Sequence, residues 1–194
     1  MHAVSYLEPE QASPLANEMY TKVTERFEML LNIFKVMGHA PELMSPFSDF
    51  IMEILQDGKV DWVTKELLIL KSTRLNECHY CVVQHETLSG RLGISNEKIA
   101  DLSGDRYKTS PHFSDAEKAI LELTDQIWKD ANRVSDELWG RVRQHYDEGQ
   151  IVEIVATITT YIMISKFGDA LGVELEDVFS GVEPILFRET EPAE

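Results

Sequence analysis

Apolar residues return at intervals of three and four along nearly the whole chain, and this period constrains the fold more than any other feature. Ala116, Ala119, Ile120, Leu123 and Ile127 form one such stripe, at i, i+3, i+4, i+7 and i+11. A helix of 3.6 residues per turn gathers these positions on one face, which must be buried against another element. No segment shows sustained two-residue alternation flanked by hairpin turns. The run richest in β-branched residues, Ile151 to Ile164, is longer than an ordinary strand and leads to Gly172, so it reads as a buried helix. The fold class expected is all-α, a helical bundle.

Start and stop signals divide the pattern. Ser13-Pro14 is an N-cap and N1 pair for a first helix running to Lys35–Met37, with Gly38 as its stop. Pro41 opens a helix expected to end near Gly58, and Asp61 caps the next. Asn76-Glu77 marks a break. A fourth helix is then expected from Cys78 to Gly93, and Ser95 caps a short fifth ending near Gly104. Residues 105–113, with Pro111, read as a surface loop and the best place for a subdomain boundary. Ser114-Asp115-Ala116-Glu117 is a capping box. Ser135 caps a helix to about His145, and a long apolar helix covers Gln150 to Leu171. Residues 1–181 are expected to form one domain, and the tail 182–194, with Pro184 and Pro192, an extended or frayed arm. A Glu-led apolar helix ending in Leu-Gly occurs twice, Glu66 to Gly93 and Glu153 to Gly172, which fits a duplicated helical hairpin.

Size and charge narrow the function. A chain of 194 residues with 43% apolar content buries roughly 70% of its unfolded surface and needs no disulfide or metal staple. Its 34 acidic against 18 basic residues give a net charge of -16, a field that repels phosphate, so neither nucleic acid nor an anionic membrane surface is expected as a partner. The longest uncharged segment, Ile154 to Ser165, has 12 residues, against about 20 for a membrane span. The first residues show no basic and apolar signal pattern, and the expected location is cytoplasmic, where thiols stay reduced. Trp62, Trp128 and Trp139 read as core or interface anchors, His39 as a turn residue and His145 as a favourable charge near a helix end.

Only two cysteines are present, Cys78 and Cys81, in the motif Cys78-His79-Tyr80-Cys81, with His85 four residues on. With a helix starting at Cys78, Cys81 and His85 project at about 300° and 340°, on the same face, while His79 and Tyr80 point away. A helix N-terminus, a nearby histidine and the Cys-x-x-Cys arrangement each lower a thiol pKa. Glu66 lies twelve residues before Cys78, and a turn at Asn76-Glu77 folds its helix back so that the carboxylate meets the cysteine face and orients His85 or accepts a proton through water. Three readings follow. The pair is a redox-active dithiol; or Cys78, Cys81, His85 and Glu66 hold a metal in a binding or redox-sensing protein without turnover; or the thiols are inert. The one-face arrangement with a carboxylate favours the first, with no metal and no cofactor, since no Gly-rich dinucleotide motif is present.

The segment Glu66-Leu-Leu-Ile-Leu, Cys78-His-Tyr-Cys81-Val-Val-Gln-His85 and Gly90-Arg-Leu-Gly93 closely resembles the alkyl hydroperoxidase D branch of the carboxymuconolactone decarboxylase family. Phe34 with His39-Ala-Pro41, and Ile151-Val-Glu-Ile with Tyr161 and Ala170-Leu-Gly172, extend the resemblance over roughly residues 25 to 175. It implies an all-α homo-oligomer, trimer or hexamer, that reduces hydroperoxides and is recycled by a thiol or disulfide-exchange protein. It implies that Cys81 attacks the peroxide, that Cys78 is the more accessible resolving cysteine, and that His85 and Glu66 relay protons. The placement of Cys78 at the helix N-terminus leaves the reverse order of attack open. The family's best-known members carry a further relay histidine directly before the second cysteine. That position is Tyr80 here, with a histidine one place earlier at His79, so the relay is either shorter or completed by the Tyr80 hydroxyl.

Overall fold

A computed structural model describes residues 3–187, and in these the helical periods become nine α-helices and four short 3₁₀ turns, with no strand. The first element departs from expectation. Helix α1, Pro14–Phe27, is capped by Ser13 as anticipated, but it stops at Glu28, which takes a left-handed conformation (φ 61°) and donates its N–H to Thr24 O. The chain then restarts as α2, Asn32–Met37. A left-handed residue other than glycine costs about 1–2 kcal/mol. The bend lets α2 bury Ile33, Phe34, Val36 and Met37 together, a gain no straight continuation of α1 offers. Helix α3, Pro41–Ile54, ends before Gly58. The loop behind it is held by Glu153, whose Oε2 accepts Lys59 N–H at 2.8 Å and Val60 N–H at 3.4 Å.

Helix α4, Trp62–Leu75, is the centre of the molecule. Asp61 caps it, accepting Thr64 N–H at 2.8 Å. Every residue from Lys65 to Thr73 is buried, because α4 packs against α5 (His79–Arg91), α7 (Asp115–Asp130) and α9 (Glu148–Leu171). Helix α6, Asn96–Ala100, is capped by Ser95, α7 carries the complete Ser114/Glu117 capping box, and α8, Asp136–Arg143, is capped by Ser135. Asp147 caps α9 and Gly172, at φ 71°, ends it. By length and composition α9 is the one helix among the described residues apolar enough to cross a membrane. Here Ile154, Ile158, Tyr161, Ile164 and Gly168 are buried inside the bundle.

Two segments read as peripheral are anchored instead. The loop 105–113 buries Tyr107 completely and Phe113 almost so, and Tyr107 OH donates to Asp125 Oδ2 at 2.7 Å. The tail is not an extended arm over 182–187. Ile185 and Leu186 N–H groups each bond a Glu86 carboxylate oxygen at 2.7 Å, Arg74 Nε donates to Leu186 O at 2.9 Å, and Leu186 is buried. The rest of the expected arm, 188–194 with Pro192, lies outside the described residues. Of the three tryptophans Trp128 is exposed, its indole N–H donating to Asn76 Oδ1 at 3.3 Å.

Candidate active site

The turn between α4 and α5 builds the site. Glu77 adopts φ 58°, and Cys78 N–H closes on Thr73 O at 3.1 Å, so α5 returns beside α4. This reversal brings Glu66 and His85 together: Glu66 Oε1 and His85 Nδ1 are 2.7 Å apart. Glu66 is fully buried, and its Oε2 has no hydrogen-bond partner. A buried carboxylate oxygen without a donor is costly, and its one partner is therefore a strong orienting contact for the imidazole. The edge of one ring meets the face of the other where His85 and Tyr161 contact at 4.8 Å between centroids.

Cys78 is the N-cap of α5, with extended backbone (φ -76°, ψ 97°), and its sulfur accepts Cys81 N–H at 3.4 Å. Both thiols are free. Cys78 Sγ donates to Cys81 Sγ at 2.7 Å, and Ser165 Oγ of α9 approaches Cys81 Sγ at 3.8 Å. Two expectations are corrected here. Cys78 is not the more accessible cysteine: it is 0% exposed and Cys81 3%. The Cys81 thiol is not acidified either. The neighbouring Cys78 thiol and burial push its pKa well above the ordinary value, and only the Ser165 hydrogen bond opposes them. Cys81 sits one turn inside the helix, so the capping N–H serves Cys78, and a thiolate at Cys81 faces a second sulfur in an apolar wall. Nor does His85 spend its Nδ1 on the thiol; Glu66 takes it.

Cys81 opens on a cavity of about 110 Å³. Helix α5 contributes a stripe of Cys81, Gln84, His85, Leu88 and Arg91, and Phe27, Leu31, Phe34, Ile51 and Leu55 form the apolar wall opposite, with Tyr161, Ile164 and Phe179 completing it. Tyr80 also lines this cavity, contrary to its projected direction away from the cysteine face. The reason is long-range. The chain after α9 folds back and presents Glu176, whose Oε1 accepts Tyr80 OH at 3.0 Å and Asn32 N–H at 2.6 Å, and whose Oε2 accepts Gln84 Nε2–H. Burial and the Glu176 charge hold the Tyr80 hydroxyl well above its usual pKa, firmly protonated. His79 does point away, exposed and stacked on Phe187 with centroids 5.9 Å apart.

Sequence reasoning passed over Gln84, Arg91, Ser165, Glu176 and a role for Tyr161. Gln84 and Arg91 were within reach, since they continue the stripe begun by Cys81 at i+3 and i+10. Tyr161 is buried, lines the cavity, and its carbonyl accepts Ser165 Oγ–H at 2.7 Å. Burial first, then the charges of Glu66 and Cys81, raise its pKa well above normal. Among the described residues no group of three or more His, Cys, Asp or Glu side chains is arranged to hold a metal ion.

A dithiol, a carboxylate–histidine pair and an apolar cavity meet beside the α4–α5 hairpin of an all-helical bundle. A family model described as the carboxymuconolactone decarboxylase family matches residues 41–126, a stretch containing Glu66, Cys78, Cys81 and His85. The chain belongs to this family. The uncharacterized protein YdfG of Bacillus subtilis (strain 168) is 31% identical over 134 residues, which cover 69% of this chain and 89% of YdfG. The fold is that of the alkylhydroperoxidase AhpD core. A structure so described, an uncharacterized peroxidase-related protein from Ralstonia eutropha JMP134, superposes with a TM-score of 0.80 at 17% identity, over 92% of this chain and 94% of that one. A variant of the debrominase Bmp8 in complex with 2,3,4-tribromopyrrole superposes with a TM-score of 0.78 at 19% identity, over 91% and 93% of the two chains.

Proposed function

We propose that the protein is a thiol-dependent peroxidase that reduces organic hydroperoxides through Cys81 and Cys78. One observation carries the reading: Cys81 faces an apolar cavity while Cys78 Sγ stands 2.7 Å behind it. With Nδ1 of His85 engaged by Glu66, Nε2 is the nitrogen that takes the Cys81 proton, directly or through water. The thiolate attacks the outer oxygen of ROOH, the O–O bond breaks, and the alkoxide leaves with a proton returned from His85, giving ROH and Cys81 sulfenic acid. Tyr161, whose hydroxyl is held protonated beside His85, donates a hydrogen bond to the departing oxygen. Cys78 then attacks the Cys81 sulfur, a disulfide forms and water leaves. A dithiol reductant restores both thiols by exchange. The burial of Cys78 calls for a small or slender reductant, or for local opening of the α5 N-terminus. A reducing, cytoplasmic setting fits this cycle. The family resemblance implies a homo-oligomer, trimer or hexamer, for which exposed Val152 and Met163 on α9 offer an apolar face, and light scattering measures it.

The test is a thiol count on purified protein before and after one equivalent of cumene hydroperoxide. Two free thiols falling to none, and restored by dithiothreitol, are expected. Thiols that stay unreactive would overturn the proposal.

A further inference from the structure

The stripe that α5 lays along the cavity runs from the Cys81 thiol to the Arg91 guanidinium, with Gln84, His85 and Leu88 between. Ten residues of helix separate the two ends, about 15 Å along the axis. Arg91 is exposed and makes no ion pair among the described residues. Among the residues lining the cavity Arg91 is the only Lys or Arg, and no Asp or Glu lines it. The space between is walled by Phe27, Leu31, Phe34 and Leu55, which admit hydrocarbon and offer no charge.

We infer that Arg91 is an anion subsite, and that the substrates are amphipathic hydroperoxides: an apolar chain bearing a carboxylate that pairs with Arg91 while the hydroperoxide group lies at Cys81. This rests on the peroxidase reading for the chemistry at Cys81, but not for the binding. Arginine suits the role because its planar fork bonds both carboxylate oxygens at once. The apolar wall supplies affinity for the chain, and the guanidinium sets which end enters first. A neutral hydroperoxide of the same chain keeps the hydrophobic contacts and loses only the ion pair.

The experiment compares a fatty-acid hydroperoxide with its methyl ester, using dithiothreitol as reductant. The acid is expected to have a kcat/KM about tenfold above the ester's, the effect of one partly exposed charge-assisted pair. Arg91→Gln is expected to bring the acid-to-ester ratio close to one, and Arg91→Lys to keep part of it. Calorimetric titration with dodecanoate and methyl dodecanoate reads the same preference without turnover. Equal rates and equal binding for acid and ester in the native protein would overturn the inference, as would an Arg91→Gln variant that keeps the preference. If cumene hydroperoxide is not consumed while dodecanoate still binds through Arg91, the peroxidase reading falls and the anion subsite stands.

Discussion

Among the buried polar side chains of helix α4, Lys71 and Glu66 are held in opposite ways. At Lys71 every polar atom is answered: Nζ meets Asp125 Oδ1 at 3.0 Å, Gly104 O at 2.7 Å and Leu102 O at 3.3 Å, and it lies over the Tyr107 ring at 4.7 Å. At Glu66, one and a half turns earlier, Oε1 has a single partner in His85 and Oε2 has none. A satisfied centre ties loop 105–113 to the bundle. An unsatisfied carboxylate behind a histidine and a thiol-lined cavity is a cost that stability alone does not explain. The difference separates a centre that holds this fold from one that the proposed cycle uses.

The largest expected effect breaks that comparison at its functional end. Glu66→Gln should lower kcat/KM for cumene hydroperoxide by at least about 100-fold, while the midpoint of urea unfolding stays near that of the native protein. Lys71→Ala should do the opposite. Leaving Asp125 and two carbonyls without their cation costs about 3 kcal/mol of unfolding free energy, read by urea titration, with activity per folded molecule retained.

Tyr161→Phe sharpens the functional side. If its hydroxyl assists the departing oxygen, the loss should be about tenfold or more with an alkyl hydroperoxide, whose leaving alkoxide is strongly basic. It should be small with a peroxycarboxylic acid, whose leaving carboxylate needs little help. An equal loss with both would make Tyr161 a packing residue.

The smallest effect probes the structural side through pH. Tyr20 OH donates to Leu7 O at 3.0 Å and Lys35 O at 3.2 Å, and burial, with the Glu8 charge, pushes its pKa from 10.0 up to about 12. The folded state therefore keeps a proton that the unfolded chain gives up. This contribution is complete below pH 10 and is lost as pH rises toward 12. Tyr20→Phe should cost about 1 kcal/mol at neutral pH and flatten the alkaline fall in stability, measured by denaturant titration across that range.

Much of this was legible in the sequence because it is local. The caps at Ser13, Asp61, Ser95, Ser114 and Ser135 each accept the N–H expected of them. The spacing from Glu66 to His85 foretold a meeting across one turn, and the structure brings the two together. What escaped is non-local or breaks a local rule. Glu28 leaves the helix without a glycine to mark it. Tyr107 and Leu186 are buried by partners distant in sequence, Asp125 and Glu86 among them. Tyr80 turns to the cavity because Glu176, 96 residues away, receives its hydroxyl. The raised Cys81 pKa follows first from the neighbouring Cys78 thiol and then from tertiary burial, and together they outweigh the acidifying features of the motif.

The proposed cycle has Cys81, not Cys78, meet the peroxide. It is tested most directly by trapping sulfenic acid with dimedone in Cys78→Ser and Cys81→Ser after one equivalent of cumene hydroperoxide, and mapping the adduct by mass spectrometry. An adduct is expected on Cys81 in Cys78→Ser and none in Cys81→Ser. An adduct on Cys78 in Cys81→Ser, with none on Cys81 in the other variant, would contradict it.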